Sequence, residues 1–296
     1  MSPLPAAAPR SFASLYPLLF VALWSTGFIG AKFGLPDAPP LTFLSWRYAI
    51  VLVLMGFVAW YTRAPWPRTA REWLHIGVSG VLVHAVYLGG VFIAISHGLP
   101  AGVTAIVVGL QPVLTALGAG LLLGERVRPA QWAGLGLGFV GVALVVAHKV
   151  AATVGNAALL TMLVPAVIAL VAITAGTLYQ KRYCPAFDLR TGAVIQFLPS
   201  LALTALVAVI TEDGQVHWTP SFVFAMAWLV LVLSVGAVSL LNMLIRNGTA
   251  VNVASLFYLV PPATAVIAWA LFGETMTGLA LVGMGLTVFG VWLARK

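Results

Sequence analysis

Carboxylates are nearly missing from this chain. Seven Asp and Glu occur in 296 residues, and Asp37, Glu72, Glu125, Asp188, Glu212, Asp213 and Glu274 all fall at the ends of apolar runs or between them. A paired-acid active site, an aspartate-rich prenyl site and a mid-membrane carboxylate for cations or protons therefore lack their residues. Cysteine is nearly missing too: Cys184 stands alone, so no internal disulfide can form. The five histidines show no metal-ligand spacing, and neither metal nor cofactor is expected. Charged residues make up only 7% of the chain. A water-soluble domain of this length could not cover its surface with so few.

What is present is apolar. Hydrophobic residues are 61% and the mean hydropathy is +1.06. Runs long enough to cross a bilayer, which takes about 20 helical residues, are read at 15–34, 40–61, 74–96, 101–123, 129–147, 159–180, 189–210, 222–245, 250–272 and 278–294. The expected fold is all-α and integral to the membrane, with ten transmembrane helices and short connections. The first run follows Arg10 as a signal peptide would, but it is full length and has a partner in the sixth run.

Basic residues orient the chain. With the N-terminus cytoplasmic, twelve of the 15 Lys and Arg fall in inner segments, and only Lys149 falls in an outer loop. Both termini are then cytoplasmic. The net charge of +8 reflects this topology. The basic residues are spread over many short loops, so nucleic acid is not an expected partner. The expected partners are a small-molecule substrate and the lipid bilayer, and the protein is a monomer or a homodimer.

The chain also repeats itself. A shift of 149 places 110–144 on 259–293 without a gap, with 14 of 35 positions identical. Pro112 falls on Pro261, Gly124-Glu125 on Gly273-Glu274, Gly27 on Gly176 and Lys32 on Lys181. The expected units are 1–147 and 148–296, five helices each. A unit with an odd number of crossings re-enters from the opposite side when duplicated, so the two units are inverted. Inverted repeats suit a transporter that opens a central site to each side in turn.

Polar and aromatic side chains deep in the spans mark candidate sites. His84 is the titratable group close to mid-membrane, with Tyr87 on the same helix face. His84 either lines a substrate cavity, with a possible proton role, or bonds a neighbouring helix as a neutral ring. Gln111 and Pro112 occupy the middle of the fourth helix, and Pro261 the matching place in the ninth. Proline there removes a backbone donor, kinks the helix and frees the carbonyls of Val108 and Phe257 for a ligand ammonium, or serves gating and packing alone. Trp24 is too deep for an interfacial tryptophan, and with Tyr87 and Tyr258 it would make a cavity suited to flat apolar side chains. Asn242 either binds substrate or links helices. Lys32 and Arg47 belong near the outer leaflet, where they snorkel to the interface or draw in a carboxylate. Glu125 and Glu274 are expected to cap helix ends or pair with loop cations. Gly134, Gly136, Gly138 and Gly141, with Gly283, Gly285 and Gly290, are expected to form a scaffold or a dimer face.

The run Trp24-Ser25-Thr26-Gly27-Phe28-Ile29-Gly30-Ala31-Lys32 resembles the first-helix signature of the drug/metabolite transporter superfamily, in its EamA-type branch. Arg47 and the twice-repeated Pro…Gly-Glu pattern fit the same family, and within it the chain resembles the YddG-type amino-acid exporters. The resemblance implies a multi-pass bacterial inner-membrane transporter, not an enzyme. It implies export of neutral amino acids, aromatic or large and apolar, and of related metabolites. Export of other metabolites or drugs by proton antiport is the alternative. An integral-membrane enzyme or a channel would need clustered catalytic groups or a continuous polar lining, and neither is found.

Overall fold

The computed structural model describes residues 15–99, 101–151, 159–184, 186–273 and 276–295. Every regular element among them is helical. In lipid no water is available to the backbone, so an apolar run must satisfy its own N–H and C=O groups, and a helix does so. In chain order these are α1 (Tyr16–Gly34), α2 (Pro40–Tyr61), α3 (Ala70–Ser96), α4 (Ala101–Val108 and Gln111–Leu123), α5 (Pro129–Ala151), α6 (Leu159–Tyr183), α7 (Leu189–Thr211), α8 (Pro220–Asn247), α9 (Ala250–Phe272) and α10 (Gly278–Ala294). Eight segments, in α2 through α9, are long and apolar enough to cross a membrane. The apolar stretches Tyr16–Gly27 of α1 and Gly278–Ala294 of α10 are shorter.

The ends of the helices are written in the sequence. Thr69 and Glu72 form a capping box that starts α3 at Ala70, one turn before the apolar run at 74. Thr219, Thr249 and Thr277 cap α8, α9 and α10. The repeated Gly-Glu has a backbone reason: Gly124 (φ +68°) and Gly273 (φ +64°) end α4 and α9 in the left-handed conformation that glycine adopts without strain.

Packing exchanges elements between the halves. α2 packs on α7, and α5 packs on α10. α1 leaves its own half to pack on α8 and α9, and α6 packs on α3 and α4. Each of these pairings maps onto another, or onto itself, under the 149-residue shift. Of the glycines expected as a scaffold or dimer face, Gly134, Gly141, Gly283 and Gly290 form the α5–α10 seam inside the chain. A Cβ on Gly141 would lie 2.6 Å from the Gly283 carbonyl, and one on Gly134 would lie 2.5 Å from the Gly290 carbonyl. Gly136 and Gly285 face open space. The outside carries a broad apolar surface that includes Val53, Leu121 and Val209, as lipid contact requires.

The loops tie the two ends. At the end carrying Asp37, the Thr219 hydroxyl donates to that carboxylate at 2.8 Å, and Glu212 accepts from the backbone N–H groups of Leu41 and Thr42 at 2.8 and 2.7 Å. At the end carrying the basic loops, Glu125 accepts from the Ala250 N–H at 3.2 Å and so caps α9. Lys181 donates to the carbonyls of Ile245, Arg246 and Gly248 at 2.9, 3.3 and 2.6 Å, closing the C-terminus of α8. Glu274 lies outside the described residues, and so does the side chain of Lys32.

Candidate functional site

Two helices change pitch where the halves meet. Val81–Val86 of α3 and Leu229–Ala237 of α8 are π-helical. These segments occupy matching places in the repeats, and such widened turns are frequent at functional sites. The π turn in α3 leaves the His84 carbonyl to accept from the Tyr48 hydroxyl at 2.8 Å.

Beside the α8 segment, and against the stretch of α3 that follows Val86, lies a small, largely apolar cavity of about 40 Å³. Its walls are Trp24, Gly27 and Ala31 of α1, Arg47 of α2, Tyr87, Leu88, Val91, Phe92 and Ile95 of α3, and Leu233 and Val238 of α8. A second space of about 30 Å³ shares Trp24, Tyr87 and Val91 with it and reaches Thr104, Val108 and Gly109 of α4 and Phe257, Val260 and Pro261 of α9. Each volume holds about one water, or two at most. A ligand the size of an amino acid needs the helices to part. Trp24 packs edge-on against Phe257, with ring centroids 5.4 Å apart.

Arg47 is not at the lipid interface. Its side chain is 2% exposed, it turns inward, and its Nε donates to the Ser234 hydroxyl at 2.9 Å. No carboxylate pairs with it among the described residues. The placement has a geometric signal. Arg47 lies seven residues past Pro40, about 10 Å down the helix axis, which makes snorkelling back to the interface difficult.

The six residues singled out in the sequence separate into two groups. Trp24 and Tyr87 line both spaces. His84 is behind the wall: its ring stacks on Phe197 at 4.2 Å, and its Nε2 is buried without a partner among the described residues. Gln111 is buried in α4, where its amide donates to the Thr115 hydroxyl at 3.3 Å and its Oε1 has no partner. Tyr258 turns away from the cavity, into the cluster of Leu135, Val142 and Val291, with its ring over Gly138. Its neighbour Phe257 takes the place at the wall. Asn242 sits nearer the basic loops in a buried amide chain. Gln180 donates to Asn242 at 2.9 Å, Asn242 to Gln196 at 3.2 Å, and Gln196 to the Ser79 hydroxyl at 3.1 Å. This chain joins α6, α8, α7 and α3.

The prolines open helices rather than bend them. Pro112 lies in the first turn of Gln111–Leu123, after a break at Gly109-Leu110, and Pro261 in the first turn of Val260–Phe272, after the 3-10 turn Leu256–Leu259. The Phe257 carbonyl accepts from the Val260 N–H and is not free for a ligand.

Hydropathy located the spans but put Arg47 at the interface, and it missed the side chains of Ser234, Gln196 and Phe257. Gln196 carried a signal, since the 149-residue shift places Arg47 on it.

The chain matches the model of the EamA-like transporter family twice, over residues 11–147 and 156–295. It is 25% identical over 285 residues to a protein of Escherichia coli (strain K12) named "Uncharacterized inner membrane transporter YedA", spanning 95% of this chain and 89% of that one. It is 27% identical over 291 residues to a protein of Salmonella typhimurium (strain LT2) named "Probable amino-acid metabolite efflux pump", spanning 93% and 92%. A solved structure titled only "Crystal structure of protein" superposes with a TM-score of 0.79 at 22% identity, covering 97% of both chains.

Proposed function

We propose, from the premise that the chain belongs to the EamA-like transporter family, that it exports neutral amino acids with aromatic or large apolar side chains, and kindred metabolites. It does so across the inner membrane by alternating access. The observation that carries this reading is the aromatic wall of Trp24, Tyr87 and Phe257 at the meeting point of the halves, facing the broken stretches of α4 and α9. Flat rings recognise flat or bulky apolar groups through stacking and edge contacts. Interrupted helices in matching places are where transporters build their sites. A relative bearing the name of an amino-acid metabolite efflux pump supports the same class, and so does the resemblance to YddG-type exporters.

In this reading α1 and α10 complete ten crossings, the units 1–147 and 148–296 are inverted, and both termini face the cytoplasm. The amide chain through Asn242 closes the path toward the basic loops. The cavity beside Arg47 belongs to the opposite half of the path.

The test is uptake of labelled phenylalanine into proteoliposomes, with and without an imposed pH gradient, against empty liposomes. Uptake above empty liposomes is expected, with Trp24→Ala and Tyr87→Ala reducing it about tenfold while folded protein is retained. A rise with the gradient would make His84 the first candidate for a proton carrier. No uptake from folded protein would remove the amino-acid reading.

A further inference from the structure

We infer that Arg47, held in place by Ser234, forms a carboxylate subsite at the cavity wall, so that the anionic end of a substrate is recognised first and its ammonium group counts for little. This rests on reading the central cavity as the transport site. A guanidinium does not shed its proton at any pH the cell experiences. A buried, uncompensated charge is costly and needs a partner. Among the described residues Arg47 has one neutral acceptor, Ser234, at 2.9 Å. The six described carboxylates of the chain lie at helix ends or in loops, and among the described residues none reaches Arg47.

The matching place in the second half makes the same point by contrast. Gln196 falls on Arg47 under the repeat shift. It is neutral, and both ends of its amide are engaged by Ser79 and Asn242. Holding α2 and α7 in their places therefore does not demand a cation. Arg47 borders the cavity beside Trp24 and Tyr87, and the remaining walls are apolar. A ligand with a carboxylate at one end and a ring or branched chain at the other satisfies both parts. An ammonium group would meet the guanidinium's repulsion, with no acid nearby to pair it.

The probes are 3-phenylpropionate, which keeps the carboxylate and lacks the amine, and 2-phenylethylamine, which keeps the amine alone. Each is measured by thermal stabilisation of the purified protein and by competition with labelled phenylalanine uptake. In the wild type, 3-phenylpropionate should bind within a few-fold of phenylalanine, and 2-phenylethylamine about 10- to 100-fold more weakly. Arg47→Gln should abolish the response to 3-phenylpropionate. Arg47→Lys, which keeps the charge but loses the two-pronged geometry, should weaken it about tenfold.

Equal binding of 2-phenylethylamine and phenylalanine would overturn the subsite while the transport reading stood. So would wild-type uptake by folded Arg47→Gln. Stabilisation by 3-phenylpropionate that depends on Arg47, in a protein that does not move phenylalanine, would keep the subsite and reject the amino-acid reading. Should both variants fail to fold, the comparison of probes on the wild type decides alone.

Discussion

The two halves agree where helices touch and differ where they enclose. α5 and α10 keep Gly134, Gly141, Gly283 and Gly290 at matching places, and each glycine faces the backbone of the other helix. The inward-facing positions have diverged. Trp24, Arg47, His84 and Tyr87 of the first half fall on Ile173, Gln196, Leu233 and Gly236 of the second. The first half supplies most of the cavity's aromatic and cationic wall, and the second supplies most of an amide chain. The polar link keeps its topology even so. Arg47 on α2 reaches a serine on α8, and Gln196 on α7 reaches a serine on α3. Duplication fixed which helices meet, while the chemistry at each meeting changed freely.

The largest effect should come from breaking what the halves share. Gly141→Val would drive a branched side chain into the Gly283 carbonyl and the Thr287 backbone, each 2.6 Å from where its Cβ must sit. Backbone cannot step aside as a side-chain tip can. The expected cost is about 3 kcal/mol or more, read as loss of monodisperse protein in detergent. Gly136→Ala is the control: it lies on the same helix, nothing is near it, and it should leave thermal stability unchanged or raised. If Gly141→Val stays folded, the seam is not what holds the halves together.

The next effect separates cavity from amide chain. Asn242→Leu removes the middle of the Gln180–Asn242–Gln196 link and strands a donor on Gln180 and an acceptor on Gln196, both buried. Two orphaned amide groups cost about 2–4 kcal/mol together. A melting curve measures this cost. If the chain is a lock that opens during transport, the variant should also leave the basic-loop side more accessible. A cysteine placed in the path between Asn242 and Tyr87 would then label faster. Lower stability without faster labelling would reduce the network to helix adhesion.

Hydropathy and the self-match read most of the architecture. The apolar runs, the repeat and the capping residues are properties of short segments, and each has a local cause. Which way a side chain faces within a span was not legible. In a soluble helix the apolar stripe points to the core. Here lipid is as apolar as the interior, and the stripe disappears. Phe257 and Tyr258 illustrate it: adjacent aromatics on one apolar run, of which Phe257 meets the cavity and Tyr258 meets Gly138. Arg47 illustrates the opposite failure. Interfacial snorkelling is the common fate of such a residue, and only the π turn of α8 that presents Ser234 provides an inward partner. That π segment packs against α1, and no residue type announces it.

Tyr258 also gives the smallest and sharpest test of the divergence. It occupies the place that Gly109 holds in the first half. Its ring fills space that Gly138 leaves open, and its hydroxyl is buried with no partner among the described residues. A phenol of that kind contributes by volume, and its oxygen carries a desolvation cost that nothing offsets. Tyr258→Phe should therefore hold stability within about 0.5 kcal/mol of wild type, or raise it slightly, and leave phenylalanine uptake unchanged. Phe257→Ala, one residue away, should reduce uptake because it removes the edge contact to Trp24 at 5.4 Å. Loss of uptake in Tyr258→Phe with the melting point intact would show that the hydroxyl finds a partner elsewhere in the cycle. The second half would then join the substrate wall when the helices part, and the division between a binding half and a locking half would hold for one conformation only.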